Sequence, residues 1–121
     1  MRAIYVDDEP IMLRAFRRIT GGIDDMEIAG CFDNSDDAVE YVRNNPVDIV
    51  FADVLLPHTD GIELAEKLRK YQHGIYVVFV SALEKSSIKR VSEGDDYLGK
   101  PYSAKEIDGI IRNYYKKKVC G

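Results

Sequence analysis

The chain of 121 residues, 45% hydrophobic and 31% charged, has the size and composition of one soluble globular domain, long enough to bury a core without disulfide staples and too short for a second domain. Its net charge of −4 argues against a domain that grips nucleic-acid phosphates by itself, and its only basic run is Lys116-Lys117-Lys118. No apolar stretch approaches the ~18 residues of a membrane span, and Met1 leads almost directly into a strand-like segment, so neither membrane contact nor a signal peptide is expected and the expected location is cytoplasmic.

Short apolar runs alternate with amphipathic helical patterns along the chain. Ala3 to Val6 reads as a first strand ending in Asp7-Asp8-Glu9, and Pro10 suits the first position of a helix with Ile11, Met12, Ala15, Phe16 and Ile19 on one face. Gly21-Gly22 closes that helix. Glu27 to Phe32 reads as a second strand; Cys31 within it and Cys120 match neither a metal spacing nor a disulfide framework and read as ordinary thiols. Asn34 or Ser35 caps a second helix that turns Ala38 and Val42 inward, and Asn44-Asn45-Pro46 stops it. Val47 to Ala52 is β-branched and aromatic enough for a strand buried on both faces, with Asp53 at its carboxyl end. Asp60 with Glu63 then resembles a capping box for a third helix carrying Ile62, Leu64, Ala65 and Leu68.

Ile75 to Val80 is the clearest strand and runs into Ser81. Glu84 to Glu93 offers only Ile88 and Val91 as clear apolar positions, which predicts a short, weakly held fourth helix. Tyr97-Leu98-Gly99 reads as a brief last strand before Lys100-Pro101. Ser103 and Glu106 form a capping box for a fifth helix with Ile107, Ile110, Ile111 and Tyr114 at i, i+3, i+4 and i+7. The domain is expected over residues 1–115, with 116–121 a basic tail or truncated linker. Five strands alternating with five helices imply an α/β fold, a parallel sheet with helices on both faces.

In such a sheet ligands bind at the carboxyl ends of the strands. The residues there are Asp7 and Asp8 after the first strand, Asp53 after the third, Ser81 after the fourth and Lys100 after the fifth. Three carboxylates a few ångströms apart repel by roughly 4 kcal/mol per pair at 4 Å and an effective dielectric near 20, so the set calls for a cation or raised pKa values. All-oxygen ligands without His or Cys select a hard ion, and an open site with few carboxylates suits Mg²⁺ better than Ca²⁺. A carboxylate nucleophile, a hydroxyl, a lysine and Mg²⁺ are the parts needed to move a phosphoryl group onto an aspartate.

Val6-Asp7-Asp8-Glu9, Asp53 with Leu56-Pro57 and Asp60-Gly61, Val80-Ser81-Ala82, and Asp96-Tyr97-Leu98-Gly99-Lys100-Pro101 together resemble the receiver domains of bacterial two-component response regulators, over Met1 to about Tyr115. The resemblance implies a flavodoxin-like (CheY-like) fold with strand order 2-1-3-4-5 and Asp53 as phosphoacceptor, supplied by a partner histidine kinase. It implies Mg²⁺ on Asp8, Asp53 and the Leu55 carbonyl, with Asp7 acting largely through water, and Lys100 and Ser81 on the phosphoryl group. A cis peptide bond at Lys100-Pro101 is also implied, at the one residue type where that is common. Ser81 and Tyr97 are the implied switch, repacking a face of the fourth helix, fifth strand and last helix toward an effector absent from this chain; the effector is expected to control transcription, and a phosphorylated homodimer is one possible form.

The segment from Ser81 to Lys100 is a few residues shorter than usual in that family, and Ser81 stands where threonine is frequent. Leu55 and Leu83 hold the positions that in the family tune hydrolysis of the acyl phosphate; both are apolar, so a long-lived phosphorylated state is expected. The alternatives are a receiver-like interaction module without phosphorylation and a Mg²⁺-dependent phosphohydrolase, which would need a second acid where Leu55 stands. The domain is expected to act on itself alone and not as an enzyme.

Overall fold

A computed structural model describes residues 1–120, with the Cys120 side chain and Gly121 lying outside the described part. The strands are β1 (Arg2–Val6), β2 (Glu27–Phe32), β3 (Ile49–Asp53), β4 (Leu55–Leu56), β5 (Thr59–Asp60), β6 (Tyr76–Ser81) and β7 (Asp96–Gly99). The α-helices are α1 (Pro10–Thr20), α2 (Ser35–Asn44), α3 (Gly61–Tyr71) and α4 (Ala104–Cys120). Five strands form one parallel sheet in the order β2-β1-β3-β6-β7, which is 2-1-3-4-5 when the sheet's own strands are counted. The Lys100–Pro101 peptide bond is cis, as expected.

Because side chains alternate across a strand, each strand feeds two cores. Ile4, Val6, Val50, Ala52, Val77 and Phe79 pack under α2 and α3, which contribute Ala38, Val42, Leu64, Ala65 and Leu68. Ala3, Tyr5, Ile49, Phe51, Val78 and Val80 pack on the other face under Phe16 of α1 and Ile107, Ile110 and Ile111 of α4. Of the apolar residues assigned to one face of α1, Phe16 is fully buried, whereas Ile11 in the first turn is exposed.

The helix starts follow their local chemistry. The Asn34 side chain accepts from the Asp37 N–H at 2.8 Å, and Asp60 accepts from the Glu63 N–H at 2.8 Å. Glu63 turns its own carboxylate to the Thr59 hydroxyl instead of completing the box. At α4 the box closes in both directions: Ser103 Oγ accepts from the Glu106 N–H, and Glu106 accepts from the Ser103 N–H. α4 continues through Lys116-Lys117-Lys118, so these lysines are helical. No helix among the described residues is long and apolar enough to cross a membrane.

The expected fourth helix is not formed. Lys85–Ser87 and Val91–Glu93 are separate 3-10 turns, with Ile88 extended between them (φ −101°) and Arg90 left-handed (φ 63°). Ile88 is buried and Val91 only partly so, and this much apolar burial does not offset the cost of ordering a full helix. The segment is held instead by Arg90, whose guanidinium pairs with Glu66 on α3 and with Glu93. Gly94 lies against Phe79, where a Cβ would come within 2.6 Å of the ring.

Candidate functional site

Strand register alone brings the expected residues together. Val6 pairs with Ala52, Asp53 with Val80, and Ser81 with Gly99, so Asp7, Asp53, Ser81 and Lys100 all emerge within one residue of the same sheet edge. Asp7, Asp8 and Asp53 present carboxylate oxygens within 4.8 Å of one another, with Asp7 and Asp53 buried and Asp8 exposed. Lys100 Nζ lies 2.8 Å from both Asp7 Oδ2 and Asp53 Oδ2, and 3.6 Å from Glu9.

Each carboxylate is also oriented by the backbone. Asp7 Oδ1 accepts from the Glu9 N–H at 3.0 Å, and Asp53 Oδ1 accepts from the Leu55 N–H at 2.9 Å. After Asp53 the chain folds into the two-residue hairpin of β4 and β5, turned by Pro57 and His58, the latter at φ 65°; proline followed by a positive φ is the type II turn pattern. The hairpin delivers Gly61 against the back of the site. A Cβ there would sit 2.5 Å from the Asp53 carbonyl oxygen, so only glycine permits the approach.

Burial pushes the Asp53 carboxyl above its ordinary range, and the Asp7 charge adds to this; the Lys100 ammonium and the Leu55 N–H oppose it without prevailing. Burial works against the Lys100 charge too, but its hydrogen bonds and ionic contacts with Asp53 and Asp7 outweigh that and hold the ammonium above its ordinary value. One ammonium divided between two carboxylates is thus firmly charged, while neither carboxylate has a cation to itself. The all-oxygen acid cluster fits a hard divalent ion such as Mg²⁺, which would supply the missing positive charge.

Ser81 is buried, and its Oγ accepts from the Leu83 N–H at 3.0 Å. The half-buried Tyr97 donates its hydroxyl to the Leu83 carbonyl. Ser81 and Tyr97 are therefore linked through a single peptide segment. Leu55 and Leu83 are 62% and 43% exposed, at the mouth of the site rather than in the core. His58 is exposed.

Two residues of the site were not anticipated from the sequence. Tyr5 donates its hydroxyl to Asp7 Oδ2 at 3.0 Å, and Tyr102 donates to the Tyr5 hydroxyl at 3.1 Å. The signal for Tyr5 was its place two residues before Asp7, which puts both on one side of an extended chain. A cleft of about 470 Å³ lies away from the acids, at the opposite edge of the sheet, among Arg69, Tyr76, Asp95, Tyr114 and Lys117. The acid cluster is marked by its charges and register, not by volume.

A family profile described as the response regulator receiver domain matches residues 3–112. The transcriptional regulatory protein YpdB of Escherichia coli (strain K12) is 30% identical over 113 residues, 93% of this chain and 46% of that protein. The transcriptional regulatory protein BtsR of Salmonella typhimurium is 33% identical over 119 residues, 98% of this chain and 49% of that protein. The chain thus spans about half the length of these curated relatives. The crystal structure of the response regulatory domain of MrkE from Klebsiella pneumoniae superposes with a TM-score of 0.78 at 29% identity, covering 99% of this chain and 97% of that one.

Proposed function

Since the chain belongs to the response regulator receiver domain family, we propose that it takes a phosphoryl group on Asp53 from a sensor histidine kinase in the cytoplasm and passes the signal to an effector outside this chain. The observation that carries the reading is the Lys100 ammonium shared at 2.8 Å between Asp7 and Asp53, with Asp8 alongside. An Asp53 oxygen attacks phosphorus, the phosphorus–nitrogen bond to the kinase histidine breaks, and the imidazole leaves with its electron pair. Lys100 then pairs with phosphoryl oxygens in place of the carboxylate charge, and the Ser81 hydroxyl donates a further hydrogen bond. Asp8, Asp53 and the Leu55 carbonyl would hold Mg²⁺, with Asp7 acting largely through water, and the bound ion would neutralise charge on the phosphoryl oxygens.

A Ser81 hydroxyl drawn toward the phosphoryl group gives up the Leu83 N–H it now accepts. The Leu83 peptide moves, and Tyr97, bonded to its carbonyl, moves with it. The face that changes is made by the turns of residues 82–95, β7 and α4. Moving such an equilibrium from ~1% to ~99% takes about 5.5 kcal/mol of differential stabilisation, and a smaller differential gives a partial shift. The names of the relatives, transcriptional regulatory proteins, support transcription as the output, reached through a segment beyond the shared half. The domain catalyses only its own phosphorylation and dephosphorylation.

The test is intact-mass spectrometry after incubation with Mg²⁺ and acetyl phosphate. One phosphoryl adduct on the wild type and none on Asp53→Asn supports the reading. No adduct on a wild type that binds Mg²⁺ moves it to a phosphorylation-independent interaction module.

A further inference from the structure

We propose that Tyr5 and Tyr102 form a buried chain of two hydroxyls that positions the Asp7 carboxylate, making Tyr5 a positioning residue for divalent-ion binding at the acid cluster. The inference rests on the reading of that cluster as a Mg²⁺ site. Tyr5 is fully buried on β1 and its ring stacks on Phe16 at 4.3 Å with the planes 6° apart, so the ring cannot swing. Its packing needs no hydroxyl. A buried phenol oxygen without partners is destabilising, yet here it is spanned on both sides, donating to Asp7 Oδ2 and accepting from Tyr102.

These bonds close a ring of contacts. Asp7 pairs with Lys100, Lys100 is followed by Pro101 and Tyr102, Tyr102 donates to Tyr5, and Tyr5 donates back to Asp7. Asp7 Oδ1 is fixed by the Glu9 N–H and Oδ2 by Tyr5 and Lys100 together, so the plane of the carboxylate is set from both ends. Without the Tyr5 hydroxyl, Lys100 becomes the sole partner of Oδ2 and one of the contacts that set the plane of the carboxylate is lost. Tyr102 touches no acid and acts only through Tyr5.

The experiment is calorimetric titration of the whole chain with MgCl₂ for wild type, Tyr5→Phe, Tyr102→Phe and the double variant, with a melting curve for each. A group hydrogen-bonded to a metal ligand is worth roughly 10-fold or more in metal affinity, and Tyr5 acts one bond further out through Asp7, so Tyr5→Phe is expected to raise the Mg²⁺ Kd severalfold and Tyr102→Phe by less. In the Tyr5→Phe background the second substitution should add nothing, the mark of a chain rather than of two separate packing effects. With acetyl phosphate as donor, Tyr5→Phe should raise the half-saturating Mg²⁺ concentration by the same factor and leave the rate constant at saturating Mg²⁺ close to wild type. A Tyr5→Phe variant that melts lower but binds Mg²⁺ as wild type does overturns the inference alone, as do additive effects of the two substitutions. A wild type that binds no Mg²⁺ overturns it together with the Mg²⁺ site. If Tyr5→Phe does not fold, Tyr102→Phe decides by itself, an unchanged Kd counting against the chain.

Discussion

Asp53→Asn removes one charge from the acid cluster and keeps the volume and one acceptor oxygen, so it weighs repulsion against attraction at the site. With carboxylate oxygens within 4.8 Å of one another, a like-charged pair that includes Asp53 costs about 3.5 kcal/mol at an effective dielectric near 20 before solvent screening. Lys100 at 2.8 Å returns about 6 kcal/mol on the same scale. Asp8 is exposed and contributes less than the full figure, so the charges on Asp53 nearly cancel and burial tips the balance against ionisation. In chelator the variant is therefore expected to melt at the wild-type temperature or up to about 4 °C above it, since 1 kcal/mol is worth roughly that for a domain of this size. Mg²⁺ at ten times its Kd stabilises the wild type by about 1.4 kcal/mol and the variant far less. Circular-dichroism melts in EDTA and in MgCl₂ read both. A variant melting more than about 4 °C lower in EDTA shows that the Asp53–Lys100 attraction dominates and refutes the reasoning.

The folded domain keeps Asp53 protonated to higher pH than the unfolded chain, whose carboxyl titrates near 3.8, so this group's stabilisation is complete below 3.8 and is lost as pH rises through the folded value. Urea midpoints of wild type minus Asp53→Asn in chelator should fall across that window, and parallel profiles contradict the shift. Gly61→Ala places a Cβ 2.5 Å from the Asp53 carbonyl oxygen and is expected to destabilise the fold and weaken Mg²⁺ binding. Overpacking of this kind costs about 1–3 kcal/mol in urea unfolding, and a loss below about 0.5 kcal/mol would mean that the hairpin yields. With exposed, apolar Leu55 and Leu83 unable to orient water, the phosphorylated wild type should persist well beyond seconds at neutral pH, and Leu83→Glu should shorten its life severalfold by offering a base. Phosphoryl loss followed by mass spectrometry checks both; a wild-type half-life of seconds contradicts the first.

Where pattern and packing agree, the sequence was sufficient. The run Tyr76–Ser81 is buried at every position, and no other element could hold six consecutive buried residues with β-branched and aromatic side chains at this length. Asp7, Asp53, Ser81 and Lys100 were legible because each directly follows or ends an apolar run, and a parallel register carries strand ends to one edge. The segment after Ser81 misled because Ile88 and Val91 are three apart, a spacing that fits one helical face. Nothing local announces that Arg90 adopts a left-handed backbone to reach Glu66, a contact 24 residues away. The hairpin β4–β5 escaped notice for a related reason: two-residue strands have no period to detect, and the turn at Pro57-His58 lacks the glycine that usually marks the positive-φ position of a type II turn. The partnership of Tyr5 with Tyr102 spans 97 residues and exists only once β1 and the loop between β7 and α4 are packed together.

The position of β7 has a further consequence. It is a four-residue edge strand, entered from two short turns and paired on one side only, whereas β1 and β3 lie inside the sheet with neighbours on both sides. The acids therefore belong to the part of the molecule that opens last, and Lys100, one residue past β7, to a part expected to open earlier. A transient fraying of that edge would withdraw the ammonium and leave the carboxylates in place, so under the proposed function the site would become incomplete before the fold is lost. Hydrogen exchange at β7 would then track the fraction of molecules with a complete site, and selection for a reliable signal would act on this edge more strongly than its four residues suggest.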